Sequence, residues 1–322
     1  MFKKFLLVFI VAVSALLFVA CGERTYAADG VYTAFKWETH SNDGPQVTSV
    51  SVTIENDKVK SYYIDVLQNT KTNTGTEEEP VYTYAFNAKT KKELGNEYGM
   101  KGNGPKYEFK DGKWEVVADK KSEKEWFEQA KLIEDFFLAN GPEAVEKVDD
   151  RFTNVDAGVT IKDGGYSELA KEALQMAKDG VVKAWVPASN AVVFATAKVD
   201  KDGKFTELKL DTIQGSVVDN KFVWNAKSKL ELGDDYNMEG NGPEYEFKNG
   251  DWSVVAEGKS KNEWFKQSKM ITDYVLENGI EGLKSIKDRG ISKDGTTLVV
   301  TGVTVKTNDY IKVLQDLYNK VK

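Results

Sequence analysis

A block that occurs twice decides most of what this chain can fold into. The stretch from Leu94 to Pro105 (LGNEYGMKGNGP) returns as LGDDYNMEGNGP from Leu232 to Pro243. The 138-residue displacement runs without a gap from Asn87/Asn225 to Asp150-Arg151/Asp288-Arg289, and well over half of the positions between Leu94 and Gly141 are identical in the second copy. Upstream, Asp29-Gly30-Val31 pairs with Asp179-Gly180-Val181, and Asp65 and Gln68 pair with Asp211 and Gln214. A period of this length is domain-sized, so a solenoid of short repeats is excluded. The 322 residues therefore divide into a leader (1–20), a short linker (21–28) and two homologous domains at 29–178 and 179–322. Each is long enough to bury a core of its own and is expected to fold independently.

Each copy reads as α+β, a mainly antiparallel sheet with packed helices. Residues 47–65 alternate in hydrophobicity and are rich in β-branched side chains, which predicts strands. Tyr107-Glu108-Phe109 and Trp114 to Val117 flank Asp111-Gly112, and the second copy has Asn249-Gly250 in that place. Both dipeptides suit a type I′ hairpin turn. Ser122-Glu123-Lys124-Glu125 and Ser260-Lys261-Asn262-Glu263 fit a capping box, so helices are expected to start there and to end at Asn140-Gly141 and Asn278-Gly279. Trp126, Ala130, Ile133 and Phe137 lie on one helical face, as do Trp264, Ser268, Ile271 and Val275. A final helix is expected over Tyr166–Ala177 and again over Tyr310–Val321.

The first residues read as an address. Lys3 and Lys4 precede an apolar run from Phe5 to Ala20 that stops at Cys21, short for a membrane span but suited to a signal peptide. A small residue before the chain's one cysteine resembles a bacterial lipobox, with Cys21 lipidated and left first after cleavage. One cysteine and one histidine, His40, exclude an internal disulfide, a Cys/His zinc site and a Ser-His-Asp triad in each half. No metal site is expected; Asp200-Lys201-Asp202-Gly203 begins like a calcium loop but lacks its later ligands. The formal charge of −7 argues against nucleic acid as a partner. The acidic run within Thr72–Pro80 occurs in copy one alone and reads as a solvated loop.

Two features are candidates for chemistry. Gln129 and Gln267 interrupt the apolar helix face at equivalent places, and a buried amide must be paired, either by the backbone or by a ligand. Ahead of the last helix, Gly158-Val159-Thr160 recurs as Gly302-Val303-Thr304, now displaced by 144 residues. Glycine permits close approach of backbone, and a threonine hydroxyl can be esterified. A glycine turn followed by a strand-edge threonine explains the same pattern without any function.

The lipobox, the duplication, Tyr98-Gly99-Met100, Glu125-Trp126-Phe127-Glu128-Gln129 and Ala157-Gly158-Val159-Thr160 with its following helix resemble the extracellular electron-transfer flavolipoprotein family of Gram-positive bacteria. The resemblance implies two tandem FMN-binding domains, each with FMN joined by a phosphoester to a threonine, here Thr160 and Thr304. It also implies a flavin transferase for maturation, a membrane NADH dehydrogenase or quinone pool as electron source, and a lipid anchor on the outer face of the cell membrane. The family motif opens with an aspartate, where this chain has Asn154 and Leu298. On this reading Tyr98, Tyr236, Trp126, Trp264, Met100, Met238, Gln129 and Gln267 are expected around the flavin, with Gly158, Val159, Gly302 and Val303 framing the threonines. Such a carrier needs no catalytic acid or base, because the flavin does the redox chemistry. The alternative expectation is a surface lipoprotein whose duplicated domains bind a ligand or partner without flavin.

Overall fold

The computed structural model describes residues 24–156 and 158–321; Cys21 and the apolar leader lie outside the described residues. Three antiparallel strands open the fold: β1 (Gly30–Thr39), β2 (Pro45–Glu55) and β3 (Lys58–Leu67). A hairpin of β4 (Asn69–Asn73) and β5 (Tyr82–Phe86) follows, then a second of β6 (Lys106–Lys110) and β7 (Lys113–Ala118). Helices α1 (Trp126–Asn140) and α2 (Tyr166–Asp179) complete the first half, α1 packing on β3 and α2 on β1 and β2.

The second half repeats this order. Strands β8 (Val181–Ala188), β9 (Ala191–Val199), β10 (Phe205–Val218) and β11 (Lys221–Trp224) form one antiparallel sheet. The hairpin is β12 (Glu244–Lys248) with β13 (Asp251–Ala256), and the helices are α3 (Trp264–Ser285) on β10 and α4 (Asn308–Tyr318) on β8 and β9. The protein is thus mixed α+β with antiparallel sheets.

The alternation seen in the sequence sets the sheet faces. Val50 lies opposite Ile64 and Val52 opposite Tyr62, and all four are buried under the helices. Facing pairs of this kind, rather than strand propensity alone, fix the register. Both hairpin turns have positive φ at each central residue, 51° and 79° at Asp111-Gly112 and 55° and 84° at Asn249-Gly250, as the I′ turn requires.

The helix starts differ from the expectation. Ser122 and Ser260 stay in the preceding loop, where each hydroxyl donates to a backbone carbonyl two residues on. The cap residues are Glu125 and Glu263. Each of these carboxylates is buried and spoken for, accepting the N–H groups of Met100 and Lys101 or of Met238 and Glu239. The helix therefore begins one residue after a glutamate that ties it to the repeated glycine-rich loop. Its far end also differs between the halves. Gly141 stops α1, but α3 resumes after a kink at Gly279, where φ is 63° and ψ −159°.

The separate cores expected from the duplication are joined. Buried apolar residues of both halves form one contiguous cluster that runs from Ala28 to Leu317. At the seam the ring of Phe35 lies 6.1 Å from Trp185 and 5.8 Å from Phe194, while Trp37 stacks on Phe194 at 5.7 Å. The Trp224 indole donates to the Glu38 carbonyl at 3.0 Å, and the Val31 N–H donates to the Lys320 carbonyl at 2.7 Å. The acidic insertion of copy one is the tip of the β4–β5 hairpin. Rather than standing free, its base is held by Asn220 of the second half, which accepts from Tyr82 N and donates to the Pro80 carbonyl.

Candidate functional site

Each repeated threonine is held in the same way. The Gln129 side-chain oxygen accepts from Thr160 N at 2.7 Å, from Thr160 Oγ1 at 3.3 Å and from Ile161 N at 3.1 Å. Gln267 does the same for Thr304 N, Thr304 Oγ1 and Val305 N, at 2.7, 3.3 and 3.1 Å. The amide nitrogens face the other way, toward Met100 Sδ and the Lys124 carbonyl, or toward Met238 Sδ and the Asn262 carbonyl. Both glutamines are 1% exposed. Every polar atom of the buried amide is thus used internally, so it positions the threonine and leaves nothing over for a ligand.

Two further contacts complete the clamp. Arg151 donates to the Thr160 carbonyl and Arg289 to the Thr304 carbonyl. Each guanidinium lies over a hairpin tyrosine, Tyr107 at 3.7 Å and Tyr245 at 4.3 Å, a favourable placement over the ring face. Burial lowers the pKa of Arg151, but a guanidinium stays charged in any protein setting. The valine before each threonine, Val159 or Val303, is buried in the core. The valine faces the core while the threonine beside it lines the surface cavity.

A cavity opens at each threonine. The first, of about 210 Å³, is lined by Lys106, Tyr107, Ser122, Gln129, Gly158 and Thr160 among others. The second, of about 240 Å³, is lined by Tyr245, Phe247, Trp252, Lys261, Leu298 and Thr304 among others. The two coincide in the repeat, between the second hairpin and the Gly-Val-Thr turn. A Cβ on Gly158 would sit 2.1 Å from Lys124 Cε, and one on Gly302 would sit 3.0 Å from Met270 Sδ with φ at 88°. Gly302 is required by its backbone, whereas at Gly158 the near neighbour is the movable end of Lys124.

The structure does not bring all of the sequence-predicted residues to this cavity. Trp126 and Trp264 are 2% and 1% exposed and pack edge-on against Tyr166 and Tyr310, the first residue of the last helix or close to it. With Tyr98 and Tyr236 they surround an ammonium instead: Lys91 Nζ lies 5.0 Å from Tyr98 and 5.3 Å from Trp126, and Lys229 Nζ lies 4.8 Å from Tyr236 and 5.2 Å from Trp264. Burial pushes the Lys91 pKa down to about 8. Met100 and Met238 touch the site only through the glutamine amide. Asn154, at the place of the family aspartate, is occupied by the loop it sits in, accepting from Glu146 N and donating to the Ala144 carbonyl. Leu298, its counterpart, lines the second cavity.

Other residues join the site unannounced. Trp114 and Trp252 each bury an indole N–H that has no hydrogen-bond partner among the described residues. They occupy the same place in the second hairpin of each half, and Trp252 lines the cavity. A buried donor left unpaired twice over costs free energy at both places, and a ligand acceptor relieves it. Arg151 and Arg289 were visible only as the last identical pair of the gap-free repeat. No protein-family model and no curated protein matches the chain. An NMR solution structure of a protein from Clostridium thermocellum aligns with 46% of this chain and 89% of its own, at 20% identity and a TM-score of 0.26. That likeness is too loose to inform fold or function.

Proposed function

We propose that the protein is a lipid-anchored electron carrier of two tandem FMN-binding domains, with FMN esterified to Thr160 and Thr304. One observation carries the reading: each Gly-Val-Thr sets its threonine on the wall of a cavity while a buried glutamine and an arginine fix its backbone. A strand-edge threonine with no task would not need three bonds to one buried amide, made identically twice. The resemblance to the flavolipoprotein family supplies the identity of the group.

The residues present fit such a group. Thr160 and Thr304 line the cavities, Lys106 and Lys261 stand on the walls in ion pairs with Glu123 and Glu244 that a phosphate would compete for, and in the second cavity Trp252 offers an N–H donor unpaired among the described residues. Cavities of about 210 and 240 Å³ are smaller than those that enclose a whole cofactor, which suits a group retained by a covalent bond. When bound, the flavin accepts and passes on electrons; this chain's part is to attach, orient and exclude water. Loading by a flavin transferase forms the Oγ1–P bond at the expense of the FAD pyrophosphate, with AMP leaving. Electrons then pass from a membrane NADH dehydrogenase or quinone pool to acceptors outside the cell.

Coexpression with a flavin transferase tests this. Intact mass should rise by two FMN groups, Thr160→Ala and Thr304→Ala should each remove one, and the double variant should be colourless but folded. No added mass on either peptide would leave the alternative, a duplicated ligand-binding lipoprotein. Leu298 favours partial loading of the second site, since it brings no polar contact to the cavity where the family has an aspartate.

A further inference from the structure

Outside the threonine sites the two halves differ in one consequential place, the open edge of the third strand. In the first half the amide of that edge is satisfied from within, beside a cavity of about 530 Å³ lined by Tyr63, Lys92 and Phe127 among others. The Glu134 carboxylate is buried, accepts from Ile64 N at 2.6 Å and pairs with Lys92. Lys92 also lies 3.7 Å from the ring centre of Tyr63. In the second half, repeat equivalence puts Thr272 at the place of Glu134, Leu230 at that of Lys92 and Lys209 at that of Tyr63. A groove of about 430 Å³ lies there, lined by Leu208, Leu210, Leu230, Phe265, Thr272 and Leu276 together with Lys209 and two acids already paired with lysines, Glu207 with Lys198 and Asp273 with Lys269.

The backbone of Leu210 faces this groove. Its carbonyl accepts from Ser268 Oγ at 2.8 Å, so it points toward α3 and away from β9. In an antiparallel strand the N–H of a residue points the same way as its carbonyl. The Leu210 N–H is therefore the counterpart of the Ile64 N–H that Glu134 satisfies. Among the described residues no side chain accepts from it. Thr272 does not: its hydroxyl donates to the Lys269 carbonyl at 3.0 Å. Leu210 is 1% exposed, and a buried N–H without a partner is rare and costly.

We infer that this groove binds a small monocarboxylate with an apolar body, such as a medium-chain fatty acid or an aryl carboxylate. The first half states the requirement: a carboxylate on the strand amide, with a cation beside it. The second half retains the amide and moves the cation to Lys209, which makes no ion pair among the described residues. Lys269 beside it is engaged by Asp273 at 2.6 Å. Leu230 replaces the Lys92 stem, and with Phe265 and Leu276, the counterparts of Phe127 and Leu138, it forms an apolar floor for the ligand's body. Its volume lies within the range of small-molecule pockets, roughly 300–1,000 Å³.

Octanoate is the probe, and 1-octanol the control that keeps the chain and removes the charge. Titrated into the purified protein, octanoate should bind at one site and shift the Leu210 amide resonance. The alcohol should bind about tenfold or more weakly, as expected from losing a charge-assisted hydrogen bond. Installing the first half's pair, Thr272→Glu with Leu230→Lys, should abolish binding while the circular dichroism stays native. Lys209→Glu, a surface change that leaves the core alone, should weaken it about tenfold and decides the matter if the double variant fails to fold. The inference is overturned if no saturable shift appears at Leu210. It is equally overturned if acid and alcohol bind alike, or if Lys209→Glu leaves affinity unchanged. None of these readouts involves Thr160 or Thr304, so the groove and the flavin reading stand or fall separately.

Discussion

At the scale of single residues, the clamp on each threonine depends on one amide. Gln129→Leu keeps the volume but strands Thr160 N and Ile161 N, each worth about 1–3 kcal/mol when left unpaired. The variant should lose at least about 2 kcal/mol of stability by urea denaturation, and Gln267→Leu should match it in the second half. If either melts like the wild type, the three bonds to the amide oxygen are not what holds the turn. Trp252→Phe behaves in the opposite sense. It deletes a buried N–H with no partner among the described residues, so apo stability should hold or rise slightly; under the proposed function, flavin attached at Thr304 should also shift its absorption because a donor is gone. The sequence shows the two glutamines and the two threonines as repeated polar residues in apolar settings. It does not show that each glutamine holds its threonine, since residues 31 and 37 apart meet only through the fold. The tryptophans misled for a related reason. Trp126 and Trp264 stand out on a helix face, yet that face is the core; Trp114 and Trp252, on an exposed-looking hairpin, carry the unpaired donors.

At the scale of elements, hairpins and helix faces were legible because their signals are local. Asn249-Gly250 prescribes its own turn, and a period of 3.6 prescribes its own buried stripe. Helix starts were less so. A serine followed three residues later by glutamate satisfied the local rule, but Glu125 and Glu263 are claimed by the backbone of a loop some 25 residues upstream, and the helices begin after them instead. Gly279 is the other departure. With φ at 63° and ψ at −159° inside a helical run, it occupies a region that only glycine enters without strain. Gly279→Ala should cost about 1–3 kcal/mol, read as a lower melting temperature. The equivalent change at Gly141, where φ is 84° and ψ 150°, should cost a similar amount, because the backbone and not the helix beyond it sets the penalty.

At the scale of the whole molecule the duplication does not show how the two copies meet. The repeat states that two similar units exist, but nothing in one copy reveals that Phe35 and Trp37 pack on residues of the other. Residues 29–178 expressed alone would expose those rings, and an apolar patch of that kind promotes association. The intact chain should therefore unfold in one transition, and the separated halves should aggregate or melt broadly. The seam also carries a titrating group. Lys320 Nζ donates to Thr33 Oγ1 at 2.7 Å across it, and burial pushes the Lys320 pKa down to about 8, as it does for Lys91. Between that pH and the usual value of 10.5, the unfolded chain keeps a proton that the folded chain has released. Stability then rises with pH through this window, since the unfolded state binds more protons. The window is best read below about pH 9.5, because the buried phenol of Tyr62, its pKa raised by burial, opposes the trend once free tyrosines ionise. Lys320→Met keeps the backbone bond to Val31 and removes the ammonium. Its stability should be higher than the wild type's near pH 7, and its rise from about pH 8 to 9.5 should shrink to the share that Lys91 contributes. Urea midpoints across that range measure both effects, and identical slopes for the two proteins would show that Lys320 is not desolvated at the seam.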